Sequence, residues 1–182
     1  MMKIMTKAVA GAVIGVLLSA GYVQADNIYL SITAAKQGML KGEVMQKGLE
    51  GKIAALRFHS EVMSPRDPVT GLPTGKRQHK PLTITKEWGA ASPQLFLALV
   101  TNETLTEVVI DFVGVDPKAP GTMTLSHTVK LTNASVSSIV QSTDSMPNGT
   151  TRQLEDVSFT FQKIEIMDAR AKTDVMDSWG MP

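Results

Sequence analysis

The sequence predicts an all-β domain, a barrel or a sandwich, with one short helix packed on its side. Three observations carry this. Stretches of alternating apolar and polar residues, rich in Thr and Val, recur from Asn27 to Ala169. Clusters of Gly, Pro and Asn separate them. Helical spacing occurs in one short segment that opens with Ser92-Pro93. The 182 residues are enough for one domain with a real core, and no internal repeat or second domain is visible.

Residues 1–25 stand apart. Lys3 and Lys7 precede an apolar run from Ala8 to Leu18, and Val23-Gln24-Ala25 follows. A charged start, a short apolar centre and a small-residue cleavage point are the parts of a secretory signal peptide. The run is too short to be a stable membrane anchor. The mature chain is expected to begin at Asp26, as a single domain over residues 26–182, in a secreted or periplasmic location. Without Lys3 and Lys7 the 18 basic residues fall to 16 against 17 acidic ones, a net charge of −1. Such a domain has no general attraction for nucleic acid. The chain has no cysteine, which excludes disulfides, thiolate metal sites and cysteine nucleophiles.

Asn27 to Thr33 alternates, with Ile28, Leu30 and Ile32 on one face. A turn-rich stretch with Gly38, Gly42, Gly48 and Gly51 follows. Residues 52–63 contain Ala54-Ala55-Leu56, which suits a helix, and the alternation Phe58, Ser60, Val62; strand is the better reading. Residues 64–78 hold three prolines and two glycines in 15 residues. Each proline lacks an N–H donor, so this is a long loop, and such loops in compact domains usually have a function. Residues 79–88 read as a strand, with Leu82 and Ile84 alternating against Thr83 and Thr85. Ser92 suits a helix cap and Pro93 the first helical position. Leu95 with Leu99, and Phe96 with Val100, give that helix an apolar face, and it ends near Thr101-Asn102.

Leu105 to Val115 places Val108, Ile110 and Phe112 on one face, and residues 116–121 form a turn. In the long stretch that follows, Met123, Leu125, His127, Val129 and Leu131 alternate. Residues 142–151 read as a loop around Asn148-Gly149. Val157, Phe159 and Phe161 then share a face, after which the apolar set moves to Ile164 and Ile166. That shift predicts a bulge or a change of sheet near Gln162-Lys163.

Chemistry-bearing motifs are few. Gly71 and Gly75-Lys76-Arg77 look like a phosphate loop, but three residues separate the glycines and Arg77 stands where a hydroxyl must meet magnesium. A strand follows where a helix is needed. His59, His79 and His127 have no partners at metal-ligand spacing. His127, in an apolar register, is expected to be a satisfied core or interface residue. No G-x-S-x-G turn marks a serine nucleophile. Glu155-Asp156, and Asp174 with Asp177, read as solvated turns and strand ends. Asn102, Asn133 and Asn148 open Asn-x-Ser/Thr triplets of the kind that arise by chance in a Ser- and Thr-rich chain. No catalytic set, metal or cofactor is implied. The basic cluster from Lys76 to Lys80 is either a solvated loop or an arm that reaches another protein surface. The prolines before it suit an arm, because they lower the entropy lost on ordering.

The segment TGKRQHKPLTITKEWGAASPQLFLAL, residues 74–99, resembles the most recognisable stretch of the Hcp family, the haemolysin-coregulated tube proteins of type VI secretion. The matching pieces are Gly75, Arg77, His79, Lys80, Pro81, Thr85, Lys86, Glu87, Ser92, Pro93 and Leu95. Residues 157–166 resemble the family's late strand at Lys163-Ile164, Asp177-Ser178-Trp179 resembles its C-terminal end, and residues 27–32 fit its first strand. The resemblance covers nearly all of residues 27–179. It implies a compact β-barrel of two sheets with one short flanking α-helix, and a homohexameric ring with a wide channel. Rings would stack into a tube that a contractile sheath expels, with spike, sheath and effector proteins as partners and effectors carried in the channel. It makes the long loop an inter-subunit arm, comprising Met63, Pro65, Arg66, Pro68, Lys76, Arg77, His79 and Lys80. A ring needs a head-to-tail interface that closes, and Glu103, Glu107 and Asp111 are candidate acidic partners for the arm.

The leader departs from the family, whose tube subunits are assembled in the cytoplasm and carry no cleaved signal peptide. Initiation at Val23 would give a cytoplasmic chain with a short N-terminus. The alternative is an exported, ring-forming binding module, periplasmic or secreted, without a sheath partner.

Overall fold

The computed structural model describes residues 26–116, 118–146 and 149–179; the leader and Asn148 lie outside the described residues. In chain order the elements are β1 (Asn27–Ala34), β2 (Gly38–Met39), β3 (Ile53–Ala55), β4 (Arg57–His59), β5 (Val62–Met63), β6 (Gln78–His79), β7 (Leu82–Glu87) and α1 (Ser92–Val100). Then come β8 (Leu105–Asp116), β9 (Ala119–Ser145), β10 (Thr151–Asp168) and β11 (Thr173–Ser178). The protein is all-β with one short helix, as expected.

A nine-stranded sheet runs in the order β2-β1-β8-β9-β10-β7-β4, with β3 also on β1 and β11 also on β10; β5 and β6 form a separate two-stranded sheet. The large sheet closes on itself. β3 pairs with β1 (Ala54 opposite Tyr29), and β4 pairs with β7 (Phe58 opposite Ile84). Leu56, between β3 and β4, donates its N–H to Thr85 O at 2.8 Å. One nearly continuous stretch thus covers both edges, which settles the ambiguous residues 52–63 as strand.

Alternation along the strands directs Leu30, Ile32, Leu82, Ile84, Val108, Ile110, Leu131, Val157 and Phe159 inward, each at most 1 % exposed. Burying one such side chain contributes about 2 kcal/mol. The helix packs against β9 and buries Leu95 and Ala98. Its expected apolar face is divided: Phe96, Leu97 and Val100 point to solvent. The helix begins differently from the expectation. Ala91 is the cap residue and no side chain caps it. Ser92 is instead turned into the protein, where its Oγ accepts the Gly89 N–H at 3.0 Å.

Two irregularities in β9 re-aim its side chains. Phe112 pairs with His127 and Val113 with Leu125, so Ser126 is an extra residue in a bulge. Ser126 is consequently buried, and His127, expected in the core or at an interface, lies outside the core. It is half-exposed, 3.2 Å from Asp168, with its ring edge-on to Phe112. Further along, Asn133 adopts φ 49°, a left-handed conformation that Asn tolerates better than most residues. The buried set moves there from Val129 and Leu131 to Ala134 and Val136. Asn133 Nδ2 donates to Gln162 Oε1 at 3.1 Å, and across from it the buried set of β10 moves from Phe161 to Ile164. At the same place β10 exchanges its neighbour β7, paired through Phe159, for β11, paired from Lys163. The expected shift near Gln162-Lys163 is therefore a change of strand partner. Ile166, placed with Ile164 in that set, is 44 % exposed. Several residues expected in turns, loops or tails are strand: Asp116 ends β8, residues 119–121 and 142–145 belong to β9, Thr151 opens β10, and β11 lies beyond the last expected element.

Candidate functional site

The arm is the hairpin that β5 and β6 bracket. Val62 pairs with His79, Met63 with Gln78, and Arg66 with Pro73 across the loop. Asp67 organises its tip. Its Oδ1 accepts the N–H of Val69 at 2.9 Å and of Thr70 at 2.7 Å, and the Thr70 hydroxyl at 3.0 Å. These bonds, the Thr70 N–H first, hold the Asp67 carboxyl below its ordinary pKa. Arg66 Nη1 donates to Gly71 O at 3.1 Å, and Thr74 N–H to Pro65 O at 3.0 Å. Gly71 takes φ 71°, where a side chain would be strained. The loop is thus ordered by its own bonds. It displays apolar side chains at Val62, Met63, Val69 and Leu72, with Val69 90 % exposed. Arg66 and Pro68 are exposed beside them, and Pro65 is partly covered.

The base of the arm is pinned to the C-terminal strand. Arg77 Nε and Nη2 both reach the Asp177 carboxylate, and Nη2 also donates to Ser178 O at 2.7 Å. His79 Nε2 lies 2.7 Å from Asp177 Oδ2. The His79 ring meets Phe161 edge-on at 5.5 Å and Trp179 at 6.0 Å. The hydrogen bond from Arg77, then that from His79, pulls the Asp177 pKa from 3.8 down to about 2. The same contact raises the pKa of Arg77. Lys76, Arg77, Gln78, His79 and Trp179 line an open cavity of about 280 Å³. The basic cluster therefore divides: Arg77 and His79 turn to their own chain, Lys80 stands 3.5 Å from Glu61, and Lys76 is exposed.

The three candidate acidic partners are each engaged within the chain. Glu103 is 4 % exposed and accepts the N–H groups of Lys36 (2.5 Å) and Gln37 (2.9 Å) and the Gln37 side-chain amide (2.9 Å). The Gln37 backbone bond is the main reason its pKa is lowered. Glu107 pairs with Lys130 at 2.5 Å, and this raises the Lys130 pKa. Asp111 pairs with Lys52 at 2.6 Å and accepts the Thr128 hydroxyl at 2.9 Å.

Two polar clusters were misread in the sequence. Asp177 is no solvated strand end, since it ties the arm to β11. Glu155 is fully buried, 2.9 Å from the Nζ of Lys86, itself 1 % exposed. Ser92 Oγ donates to Glu155 Oε1 at 2.7 Å, and Lys86 Nζ donates to Glu87 O at 2.5 Å. Alternation did carry this signal: Lys86 follows Leu82 and Ile84 on the inward face, and Glu155 precedes Val157 and Phe159 on theirs. The cluster locks the helix start onto the barrel. Among the described residues, no group of three or more His, Asp or Glu side chains could hold a metal ion.

Comparison with known proteins identifies the scaffold. A family described as "Type VI secretion system effector, Hcp" matches residues 29–167. The chain belongs to the Hcp family. The "Major exported protein" of Pseudomonas aeruginosa is 36 % identical to this Hcp chain over 166 residues, covering 85 % of it and 95 % of the relative. Among solved structures, "Secreted protein Hcp3" of the same species matches with a TM-score of 0.70 and 30 % identity, over 86 % of this chain and 100 % of that one. The Hcp1 protein of an E. coli pathovar matches with a TM-score of 0.75 and 25 % identity, over 85 % of this chain and 99 % of that one. Hcp proteins are structural components of type VI secretion, and this member is a structural protein rather than an enzyme.

Proposed function

We propose that this Hcp chain is the repeating subunit of a hexameric ring, that such rings stack into a secretion tube, and that the channel carries small effectors. The observation that supports it best is the division of the exposed apolar surface. Barrel closure removes open edges from most of the sheet, yet several apolar patches stay uncovered among the described residues, two of them the arm tip at Val69 and Leu72 and the outer helix face at Phe96, Leu97 and Val100. Two different patches on one chain suit a head-to-tail contact, in which one copy's arm meets the next copy's surface. The arm is ordered in advance by Asp67, so docking it costs little entropy.

In this reading Met63, Pro65, Arg66 and Pro68 form the reaching part, and Lys76 and Lys80 flank it with charge. Arg77 and His79 aim the arm through Asp177. Glu107, whose side chain is 41 % exposed, can still take part in a rim contact, whereas Glu103 and Asp111 serve the fold. Spike, sheath and effector proteins are the remaining partners. The test is the double substitution Val69→Asp with Leu72→Asp. It leaves the buried core untouched, so the monomer should keep its thermal midpoint while the hexamer dissociates. Rings of unchanged stability in that variant would refute the arm's role.

A further inference from the structure

We propose that Trp88 and the polar side chains around it, at the end of the barrel where β7 stops, form a binding site for a neutral oligosaccharide. The inference is independent of ring assembly.

The site follows from the unequal lengths of three strands. β7 ends at Glu87, opposite Leu154, while β9 and β10 stay paired beyond that point, with Gln153 opposite Thr143. Alternation carries the inward face of the barrel out along this ribbon. Glu155, opposite Gln141, is fully buried; Gln153 and Thr143, two residues further out on the same face, are exposed. Trp88, the residue after β7, is 49 % exposed. It shares with Gln141, Thr143 and Gln153 a cavity of about 290 Å³. That is close to the lower bound of small-ligand sites, about 300 Å³. A second cavity, of about 470 Å³, opens where Trp88 and Gln153 meet Glu87 and Arg152. Two neighbouring cavities that share an indole suit a chain of rings better than a single ring.

The platform is held in place before any ligand arrives. Trp88 N–H donates to Gln153 O at 3.2 Å, and the next residue, Gly89, donates its N–H to Ser92 Oγ at 3.0 Å. A Cβ at Gly89 would meet the Glu43 carboxylate, so the backbone there has little room to move. Gln141 Nε2 lies 3.5 Å from Glu155 Oε2, so the buried cluster orients the Gln141 amide. The chemistry of the lining then selects the ligand. The negative face of an indole attracts C–H groups. Each Gln amide both donates and accepts, as a hydroxyl does. A ligand with a flat C–H face and a rim of neutral hydroxyls, a pyranose, answers both. Among the described lining residues of the two cavities the charged ones are Glu87 and Arg152, and they pair with each other. Nothing is therefore set out to hold a phosphate, which argues against a nucleic-acid strand on the same indole. Strand addition by a peptide is disfavoured too, because the Gln153 carbonyl on that edge is already taken by Trp88.

The test titrates the purified full chain with cellohexaose, maltohexaose and chitohexaose, read by calorimetry and by tryptophan fluorescence. The expected result is saturable binding of at least one of them, with a Kd between about 10 μM and 1 mM. The emission change should survive Trp179→Phe, which leaves Trp88 as the one remaining tryptophan of the two. Trp88→Ala should weaken binding at least about tenfold with the thermal midpoint unchanged, and Trp88→Phe, which keeps an aromatic face, should recover most of the affinity. Gln153→Ala, which spares the indole, should weaken binding about fivefold. No binding of the three sugars up to about 10 mM, or binding that Trp88→Ala leaves intact, would overturn the proposal. So would Trp88-dependent binding of an oligothymidylate or a proline-rich peptide with no response to the sugars.

Discussion

Replacing Asp177 by Asn should loosen the C-terminal strand without disturbing the barrel. The carboxylate is the shared acceptor of Arg77 and His79, and together they draw its pKa from 3.8 to about 2. At about 1.4 kcal/mol per pH unit, that depression has a ceiling near 2.5 kcal/mol. Asp177 and Arg77 are 27 % and 28 % exposed, so solvent and salt screen the pair, and about 1 kcal/mol is the better expectation. The loss should be local, because β11 is bound on one side only, to β10. Amide hydrogen exchange is the suitable assay: 1 kcal/mol corresponds to roughly fivefold faster exchange in β11, with β8 unchanged. The pH dependence follows from the sign of the shift. A carboxyl whose folded pKa is depressed stabilises the fold above its unfolded value. The difference between native and Asp177→Asn proteins should thus be constant above about pH 5 and vanish as pH falls from 3.8 toward 2. Equal exchange in the two proteins at pH 7, or a difference that persists below pH 2, would refute the reasoning.

Two related outcomes can be checked with the same protein. Lys86→Met leaves Glu155 buried without its cation and should cost about 3–5 kcal/mol, read as a shift of the urea midpoint. Adding Glu155→Leu should restore much of that loss, because an apolar pair of similar volume needs no desolvation. In a Trp88→Phe background, Trp179 is the one remaining tryptophan of the two in the chain, so its fluorescence reports its packing on His79. Arg77→Glu should change that signal, since it sets a second carboxylate against Asp177; it therefore tests the arm's anchor and is a poor probe of assembly alone.

The strands were legible in the sequence wherever one face is buried, because alternation then has a physical cause. Leu82 and Ile84, or Val157 and Phe159, are read from spacing alone. Legibility fails where backbone irregularities change the parity of a strand. The alternation through Met123, Leu125 and His127 is real in the sequence, yet the Ser126 bulge puts the serine inside and the histidine outside. The clue was a small hydroxylated residue within an apolar run, too weak to read alone. Asn102 and Asn133 looked like chance triplets, but both occupy left-handed conformations, with φ 50° and 49°. Asn102 follows the helix, where the Glu103 N–H returns to Ala98 O at 2.9 Å. The partners of the basic cluster were not legible, since Asp177 lies about a hundred residues from Arg77 and no local spacing links them.

The central claim is that this Hcp chain closes into a ring. Light scattering and negative-stain imaging of one purified fraction of residues 26–182 test it most directly. The account predicts a mass six times that of the subunit and annular particles with an open centre, at concentrations where the Val69→Asp, Leu72→Asp variant is monomeric. A single monomeric species across the whole concentration range would contradict it, and the exposed arm and helix face would then need another partner.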